Sequence, residues 1–553
     1  MKEFSFLMGG KAGDGVKVAG AILAHVLNEL GYWIFVYEDY PSLITGGHNF
    51  SIIRASSKKI LCHRDKIDVA IALSKDTPEH HPKRLKKETI WIYDADVLEK
   101  EKGLGIAMSK IVKENGLPQI ARNVLSVAAL AGICGMDFAL IEKAIKENVP
   151  QKIEANLKIA KIGHEAGKNS PLKMKVNKLK DSARPLLSGN EAICLGAAAA
   201  GLDFYIAYPM TPSTGLLHFF AAKGGELGVT AVHPENEIGV ITMAEGAAFA
   251  GKRTMVGTAG GGFALMVEAL SLAGQAEIPV AIVVGQRPAP ATGVPTYTAQ
   301  GDLHFILAAG HGEFPKLVVA PGDADEAFYL TAKALNLAWQ YQIPAIILSD
   351  KHLSESIFNA SFDKAKIKKE KPKLWTGKGD YKRYLQTADG ISPLAFPGQK
   401  GAVVKATGYE HDEFGLTIER EEMVVRVVEK RLRKKEALRK EIQKMETFKI
   451  YGNKKSQTLV VVWGSNKGAV LEAADRLGLK VIQPLFLEPF IDTKFKREAA
   501  KAKKIIVVET NATGQLAELL ANHGIIANKK ILKYDGRPFT VDELEEKIKK
   551  ILK

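Results

Sequence analysis

Short apolar runs alternate along this chain with stretches in which apolar positions recur every three or four residues. FSFLM (Phe4–Met8), Trp33–Tyr37, Phe50–Arg54, Val69–Leu73 and Ile90–Tyr93 read as buried strands. Val16–Leu30, Ile120–Cys134, Ala139–Glu147 and Ile153–Gly167 carry the helical period. Residues 1–175 therefore form one α/β unit. The polar, Lys-rich stretch Asn169–Ser188 holds Pro171 and Pro185 and reads as a linker centred on 176–188.

The same rhythm resumes over residues 189–360. Gly189–Leu202 is a small-residue helix, followed by strands at Phe204–Ala207, Val229–Val232, Thr254–Gly257, Pro279–Val284, Leu317–Ala320 and Pro344–Ser349, with a helix at Asp323–Gln340. Residues 361–455 are an irregular connector. It closes on a charged helix, Glu419–Met445, whose Val425, Val428, Leu432, Leu438, Ile442 and Met445 lie near one face, so it is expected to pack on the surface. Residues 456–553 form a third α/β segment: a strand and turn at Thr458–Ser465, a helix at Lys467–Arg476, strands at Lys480–Pro484 and Lys504–Glu509, then NATGQLAELL (Asn511–Leu520). Strand–loop–helix repetition over 189–360 predicts a parallel sheet covered by helices. In such sheets, ligand sites gather at the carboxyl ends of the strands.

The stretch around which the chain is organised is AVHPENEIGVITMAEGAAFAG (Ala231–Gly251). A strand end meets Pro234, then Glu235 and Glu237, then an Ala/Gly-rich helix with Ile238, Ile241, Glu245 and Ala248 on its period. Its small residues leave room for another backbone to pack close. A carboxylate entering such a helix suits an acid in a buried cleft. An acid in a first helical turn is also favourable for the dipole alone. If the helix has begun by Glu235, the two acids lie roughly 200° apart and only one serves the cleft.

Composition narrows the function classes. With 553 residues, 46% hydrophobic and 25% charged, the chain is an ordinary globular protein of roughly three or four domains. Its longest apolar stretch, Ala192–Leu202, stops at Asp203, too short for a bilayer. No signal-peptide pattern opens the sequence, so a cytoplasmic protein without a membrane association is expected. The net charge of +15 comes mainly from Lys runs mixed with Glu and Asp and poor in aromatics; this is solvated surface, not a nucleic-acid groove. Such a surface could steer an acidic protein partner. Cys62, Cys134 and Cys194 form no C-x-x-C pair, so any iron–sulfur cluster belongs to another chain.

Several glycine- or proline-rich loops follow strands. GGKAGDG (Gly9–Gly15) lacks both the G-x-G-x-x-G spacing and the Walker lysine, so a tight strand–helix turn competes with a phosphate loop. PSLITGGHN (Pro41–Asn49) is a loop whose His48 reads as surface or interface. In YPMTPST (Tyr208–Thr214) two prolines hold Thr211 on a rigid strand end, as a capping residue or a functional one. TAGGG (Thr258–Gly262) opens another helix. GQRPAPATGVPTYTAQGD (Gly285–Asp302) is stiffened by three prolines, and Arg287 is its one charged side chain before Asp302. An isolated arginine there can hold a carboxylate bidentately or form a surface ion pair. Thr211, Glu237 and Arg287 all follow strands and are expected to converge on one crevice.

YPMTPST, ENEIG (Glu235–Gly239), TAGGG and RPAPATGVPT (Arg287–Thr296), in this order, resemble the α subunit of a 2-oxoacid:ferredoxin oxidoreductase with a γ domain fused at its N-terminus. The resemblance covers nearly the whole chain. It implies an α/β multidomain protein: an N-terminal γ-type domain, a pyrimidine-type thiamine-diphosphate domain with a parallel sheet at 189–360, and a transketolase-C-like domain at 456–553. It further implies oxidative decarboxylation of a 2-oxoacid, with a lean to 2-oxoglutarate, giving an acyl-CoA, CO2 and reduced ferredoxin. Glu237 matches the glutamate that hydrogen-bonds the aminopyrimidine N1′, with Glu235 as its rival. Thr211 matches a threonine beside the reaction centre, and Tyr208 and Pro209 of that motif are expected against the cofactor. Arg287 and Thr296 match the pair gripping the substrate carboxylate and keto group, which fixes the reacting geometry.

The family's diphosphate–Mg²⁺ motif is missing, because the single GDG, Gly13–Gly15, lies in the γ-type domain with no asparagine pair after it. A β subunit is therefore expected to bring Mg²⁺, the diphosphate site and a 4Fe–4S cluster, with ferredoxin, CoA and the 2-oxoacid as further partners. The γ-type domain is expected to contact CoA or to be structural. Met210 and Thr214 depart mildly from the family pattern, and TAGGG lacks hydroxyls that the family's turn usually carries. A non-catalytic scaffold subunit, a pyruvate- or branched-chain-specific member and a nucleotide-binding regulator on the Gly9–Gly15 turn are the competing readings.

Overall fold

Three β-sheets organise the computed structural model, which describes residues 3–42, 47–99 and 102–553. They are distributed over two units. The first comprises Met1–Leu187, Ser356–Ser361 and Thr540–Ile548; the second comprises Ser188–Glu355, Phe362–Phe539 and Lys549–Lys553.

The first unit carries an eight-stranded sheet in the order Leu104–Ile106, Ile90–Asp94, Val69–Ala72, Glu3–Lys11, His48–Ser56, Trp33–Asp39, Ile357–Asn359, Leu186–Ser188. The first four strands are mutually parallel. His48–Ser56 runs antiparallel to both neighbours, and Ile357–Asn359 antiparallel to Trp33–Asp39, so this sheet is mixed. The reason is chain length: residues 40–47 are too few for the dozen or so that a parallel crossover needs. Leu43–Gly46 of the Pro41–Asn49 loop lie outside the described residues.

The glycine-rich Gly9–Gly15 stretch is only half a turn. Gly9, Gly10 and Lys11 continue the strand. Its turn is filled from within: the Asp14 carboxylate accepts the Lys11 amide at 2.7 Å and pairs with Arg122 at 2.7 Å. A carboxylate already seated there argues against a phosphate loop. The polar stretch read as a linker is a strap fastened along this unit. Leu179 N donates to Leu30 O at 2.8 Å, Tyr32 Oη to Asn177 O at 2.9 Å and Asn28 Nδ2 to Arg184 O at 2.8 Å. Thr540–Ile548 also belongs here, with Asp65 accepting from Thr540 Oγ1 at 2.9 Å and donating its amide to Asp542 at 2.8 Å.

The second unit holds a seven-stranded sheet in the order Phe486–Glu488, Leu317–Val319, Pro344–Asp350, Val280–Gln286, Thr254–Thr258, Phe204–Ile206, Thr230–Val232. All of these strands are parallel except Phe486–Glu488 at the edge. Its five-stranded neighbour runs Phe448–Gly452, Lys480–Pro484, Thr458–Val462, Lys504–Glu509, Lys529–Leu532, with only Phe448–Gly452 antiparallel. One hydrophobic core joins them: Ile206, Val256, Ile282 and Ile346 of the larger sheet belong to the same cluster as Val461, Trp463, Ile482 and Val507.

The charged helix of the connector, Glu421–Ile442, buries Leu438 and Ile442 of the expected apolar face, but its N-terminal half turns a different face inward. Val427, Lys430, Arg431, Lys434, Leu438 and Ile442 are buried, whereas Val425 and Leu432 are exposed. Two ammonium groups are drawn in by Glu277, itself buried: Lys430 Nζ lies 2.6 Å from Glu277 Oε1, and Lys434 Nζ bonds Oε2. Burial opposes ionisation of Glu277, yet Lys430, Lys434 and Arg383 outweigh it and hold the carboxyl well below the usual range. Arg383 also donates to Glu277 O at 2.7 Å.

Candidate active site

Strands Phe204–Ile206, Thr254–Thr258 and Val280–Gln286 run side by side in parallel, so the loops after them emerge at one edge. The strand Thr230–Val232 joins the same edge and leads to Glu237. Asn236 is the helix N-cap, its side chain accepting the Gly239 amide at 3.0 Å. The helix Glu237–Phe249 thus begins two residues after Glu235, which stays exposed in the preceding turn. Glu237 is 4% exposed, and its Oε1 has no hydrogen-bond partner. The inward line of this helix is Glu237, Val240, Ile241, Ala244, Glu245 and Ala248. Ile238, expected on the apolar face, is 53% exposed. A Cβ on Gly246 would meet nothing within 4 Å, so this small residue marks an open face rather than a close backbone contact.

Gly262 makes room for the Glu237 carboxyl. A Cβ built on it would lie 2.5 Å from Glu237 Oε1 and 2.1 Å from Thr258 Oγ1. Gly262 sits in the first turn of the helix Gly260–Gln275, whose N-cap residue Ala259 offers no side-chain cap. The unpartnered carboxyl therefore rests against a turn stripped of side chains.

The loop bearing Thr211 is fastened to the same strand ends. Ser213 Oγ donates to Thr258 O at 2.5 Å, and Asn190 Nδ2 to Pro212 O at 2.9 Å. Gly285 admits this loop: its Cβ would stand 2.8 Å from Pro212 Cγ and 2.9 Å from Ser213 Oγ. The following helix, Thr214–Leu227, takes Ser213 as its N-cap residue, so Thr211 is not the cap. Arg287 Nη1 donates to Thr211 O at 2.8 Å, which brings two of the expected residues into contact.

Arg287 is buried and faces Asp302, which closes its loop. Burial pushes the Asp302 carboxyl up to about 6, against the opposing pull of Arg287. Burial likewise lowers Arg287, and Asp302 counters it. Asp302 Oδ2 lies 2.6 Å from where a Gly260 Cβ would be, so both carboxyls, Glu237 and Asp302, rest on the opening turn of one helix. Thr296 is buried on the Arg287 loop with Oγ1 unpartnered. Tyr208, 38% exposed, and Pro209 lie at the rim; the Tyr208 ring meets His233 edge-on at 5.8 Å.

Residue-type reasoning missed Asp302, Thr258, Ser213 and the role of Gly262. Asp302 had one signal, as the charge that ends the Arg287 loop. Glu245 was missed as chemistry because it stands at an apolar position. It is buried with both oxygens unpartnered, and burial beside Glu268 pushes it up to about 8. Cys62, Cys134 and Cys194 are all buried, with burial raising the Cys134 thiol to about 12. Among the described residues no helix is long and apolar enough to cross a membrane.

The chain is 32% identical to the 2-oxoacid:ferredoxin oxidoreductase subunit alpha of Saccharolobus solfataricus, over 100% of this chain and 98% of that protein. It belongs to this family of oxidoreductase α subunits. Within the family architecture, residues 195–431 match the pyruvate flavodoxin/ferredoxin oxidoreductase thiamine-diphosphate-binding domain, and residues 5–166 match the pyruvate ferredoxin/flavodoxin oxidoreductase domain. A relative named 2-oxoglutarate synthase subunit KorA, from Methanothermobacter marburgensis, is 30% identical over 66% of this chain and 97% of its own. A solved family member, 2-oxoglutarate:ferredoxin oxidoreductase from Magnetococcus marinus with 2-oxoglutarate, coenzyme A and succinyl-CoA bound, superposes with a TM-score of 0.92 at 29% identity, covering 100% of both chains. The expected α/β fold with a thiamine-diphosphate domain is thereby established.

Proposed function

We propose that Glu237 is the carboxyl that engages the aminopyrimidine of thiamine diphosphate, and that Arg287, Thr211 and Thr296 form the grip for a 2-oxoacid. The observation carrying this reading is the unpartnered Oε1 of buried Glu237, seated against a turn that Gly262 keeps open. A buried carboxyl without a donor is costly unless a ligand completes it. Thr296 Oγ1 is a second buried polar atom without a partner, on the loop of the buried Arg287. These groups fit a heteroaromatic base on one side and a carboxylate on the other.

When bound, thiamine diphosphate supplies a carbon nucleophile and an electron sink for the decarboxylation. The chain's own residues do the rest of this half. Glu237 gives or takes a proton at the pyrimidine N1′, in a site where exclusion of water strengthens that hydrogen bond. Arg287, anchored to Thr211 O, would offer the rest of its guanidinium to the substrate carboxylate, and Thr296 Oγ1 would donate to the keto oxygen. Asp302 offsets the Arg287 charge in the absence of substrate. Tyr208 and Pro209 form the outer wall toward the cofactor.

The exposed Ile238, Met243 and Leu265 beside these groups would face the β subunit, which would bring Mg²⁺, the diphosphate site and a 4Fe–4S cluster. Ferredoxin would take the two electrons and CoA the acyl group. The favoured substrate is 2-oxoglutarate, supported by the KorA relatives and by the ligand named for the Magnetococcus enzyme. Co-expression with a β subunit of the family and assay of ferredoxin reduction over several 2-oxoacids tests the proposal. Reduction that requires 2-oxoacid, CoA and thiamine diphosphate together, and fails with Glu237→Gln, supports it; activity untouched in Glu237→Gln refutes it.

A further inference from the structure

The loop from Arg287 to Asp302 has two unlike halves. Residues 289–294 are exposed, whereas Thr296, Thr298, Gln300 and Asp302 are buried. The buried half is fastened to the segment carrying the five-stranded sheet, and Gln300 makes most of the bonds. Its amide is fully buried at 0% exposure. Nε2 donates to Trp463 O at 3.0 Å, while Oε1 accepts from Asn466 Nδ2 at 2.6 Å and from the Thr510 amide at 3.1 Å. Its own backbone amide donates to Thr510 O at 2.7 Å, and its carbonyl accepts from Asn511 Nδ2 at 3.0 Å.

The partners are themselves fixed. Thr510 Oγ1 donates to Asn466 Oδ1 at 2.7 Å. Gly464, at φ +57°, leaves space that a Cβ would close to 2.6 Å from Gln300 Nε2. On either side, Thr298 N donates to Gly536 O at 3.0 Å and Gln515 Nε2 to Gly301 O at 2.8 Å. The loop base closes where the Asp302 amide donates to Gln286 Oε1 at 3.1 Å. Among the described residues, the Gln300 side chain bonds the C-terminal segment at three points. An amide that both donates and accepts here holds one position of the loop along that segment.

We infer that Gln300 is a positioning residue: it pins the loop to the C-terminal segment, so that Arg287 and Thr296 keep the geometry that receives the substrate carboxylate and keto group. This rests on the proposed roles of those two residues. It assigns to the C-terminal segment a part in substrate capture, exerted through one buried amide. A shift of about 1 Å at a gripping residue is enough to cost up to about a hundredfold in rate.

The test uses the full chain assembled with its β subunit. Gln300→Leu removes the donor and the acceptor at similar volume; Asn466→Asp removes one donor to Gln300 from the opposite side and serves if the leucine variant fails to fold. The expected result is a KM for the 2-oxoacid raised roughly tenfold or more, with affinity for thiamine diphosphate within about twofold of wild type. Hydrogen exchange of the isolated chain should quicken over residues 287–299 in both variants. Cofactor affinity falling as far as the KM rises would make Gln300 a general scaffold residue and overturn the inference. Unchanged KM, or unchanged exchange of the loop, would also overturn it. A wild-type complex that reduces no ferredoxin with any 2-oxoacid would instead remove the proposed function, whatever the exchange data show.

Discussion

Gly262→Ala is the most telling perturbation of the site. The added methyl would stand 2.1 Å from Thr258 Oγ1 and 2.5 Å from Glu237 Oε1. Ordinary contact at van der Waals separation needs about 3.5 Å, so about 1.4 Å of relief is required from Thr258 and about 1 Å from Glu237. Thr258 is fully buried on a central strand and bonded through its carbonyl to Ser213, so it has little freedom. The Glu237 side chain is the softer element and moves. A displacement near 1 Å at a proton-handling group costs about a hundredfold in turnover, or roughly 2.7 kcal/mol of barrier. Stability should fall as well, by up to about 3 kcal/mol. Overpacking costs about 1–3 kcal/mol, and replacing glycine by alanine in a helix returns up to about 1 kcal/mol. The assay is 2-oxoacid-dependent ferredoxin reduction by the complex with its β subunit, alongside thermal unfolding of the same preparation. Gly225→Ala, on a helix where a Cβ meets nothing within 4 Å, controls for the helical substitution. Turnover of Gly262→Ala above half the wild-type rate would refute this placement of the Glu237 carboxyl.

Arg287→Met should raise the KM for the 2-oxoacid at least about tenfold while leaving thiamine diphosphate affinity near wild type, since truncating a buried hydrogen-bonded charge facing a charged partner costs about 2–5 kcal/mol; a fall in cofactor affinity alone would contradict this. Lys434→Met leaves Glu277 with one ammonium in place of two, and breaking a buried ion pair on one side costs about 3–5 kcal/mol; denaturant unfolding should show it, and a wild-type midpoint would contradict it. Glu245 has a folded-state pKa raised to about 8 by burial, so the folded state binds the extra proton between pH 4.5 and 8. Its contribution is fully present below about pH 4.5 and is lost as pH rises through about 8. Glu245→Leu should therefore gain on wild type by up to about 5 kcal/mol between pH 4.5 and 9, read from unfolding midpoints; a pH-independent difference would refute it.

Period and turn chemistry made most strands and helices of both α/β frames readable, because burial of a strand or a helix stripe leaves its mark on residue type. Direction was less readable. His48–Ser56 carries the same apolar pattern as a parallel strand, and only the short connection before it reveals that the chain turns back. Charge misled where partners lay far off in sequence. Lys430 and Lys434 read as solvated until Glu277, more than 150 residues away, is placed beneath them. The strap over residues 170–187 looked like a linker because its backbone bonds leave no trace in side-chain type. At the site, the motifs singled out Thr211, Arg287 and Glu237, and the fold brings Arg287 onto Thr211 and the Glu237 carboxyl onto Gly262. Which of Glu235 and Glu237 is buried depended on where the helix starts, which Asn236 marks through a single capping bond. Gln300 was silent, since a lone glutamine in a proline-rich loop carries no signal until its four bonded partners, Trp463, Asn466, Thr510 and Asn511, are in view.

Exchange of the thiazolium C2 proton of bound thiamine diphosphate, followed by acid quench in deuterated buffer, tests the role of Glu237 without any later step. In the assembled wild-type complex the account predicts exchange far faster than for free cofactor, slowed about a hundredfold or more in Glu237→Gln with the cofactor still bound. Equal exchange rates in the two proteins would contradict it.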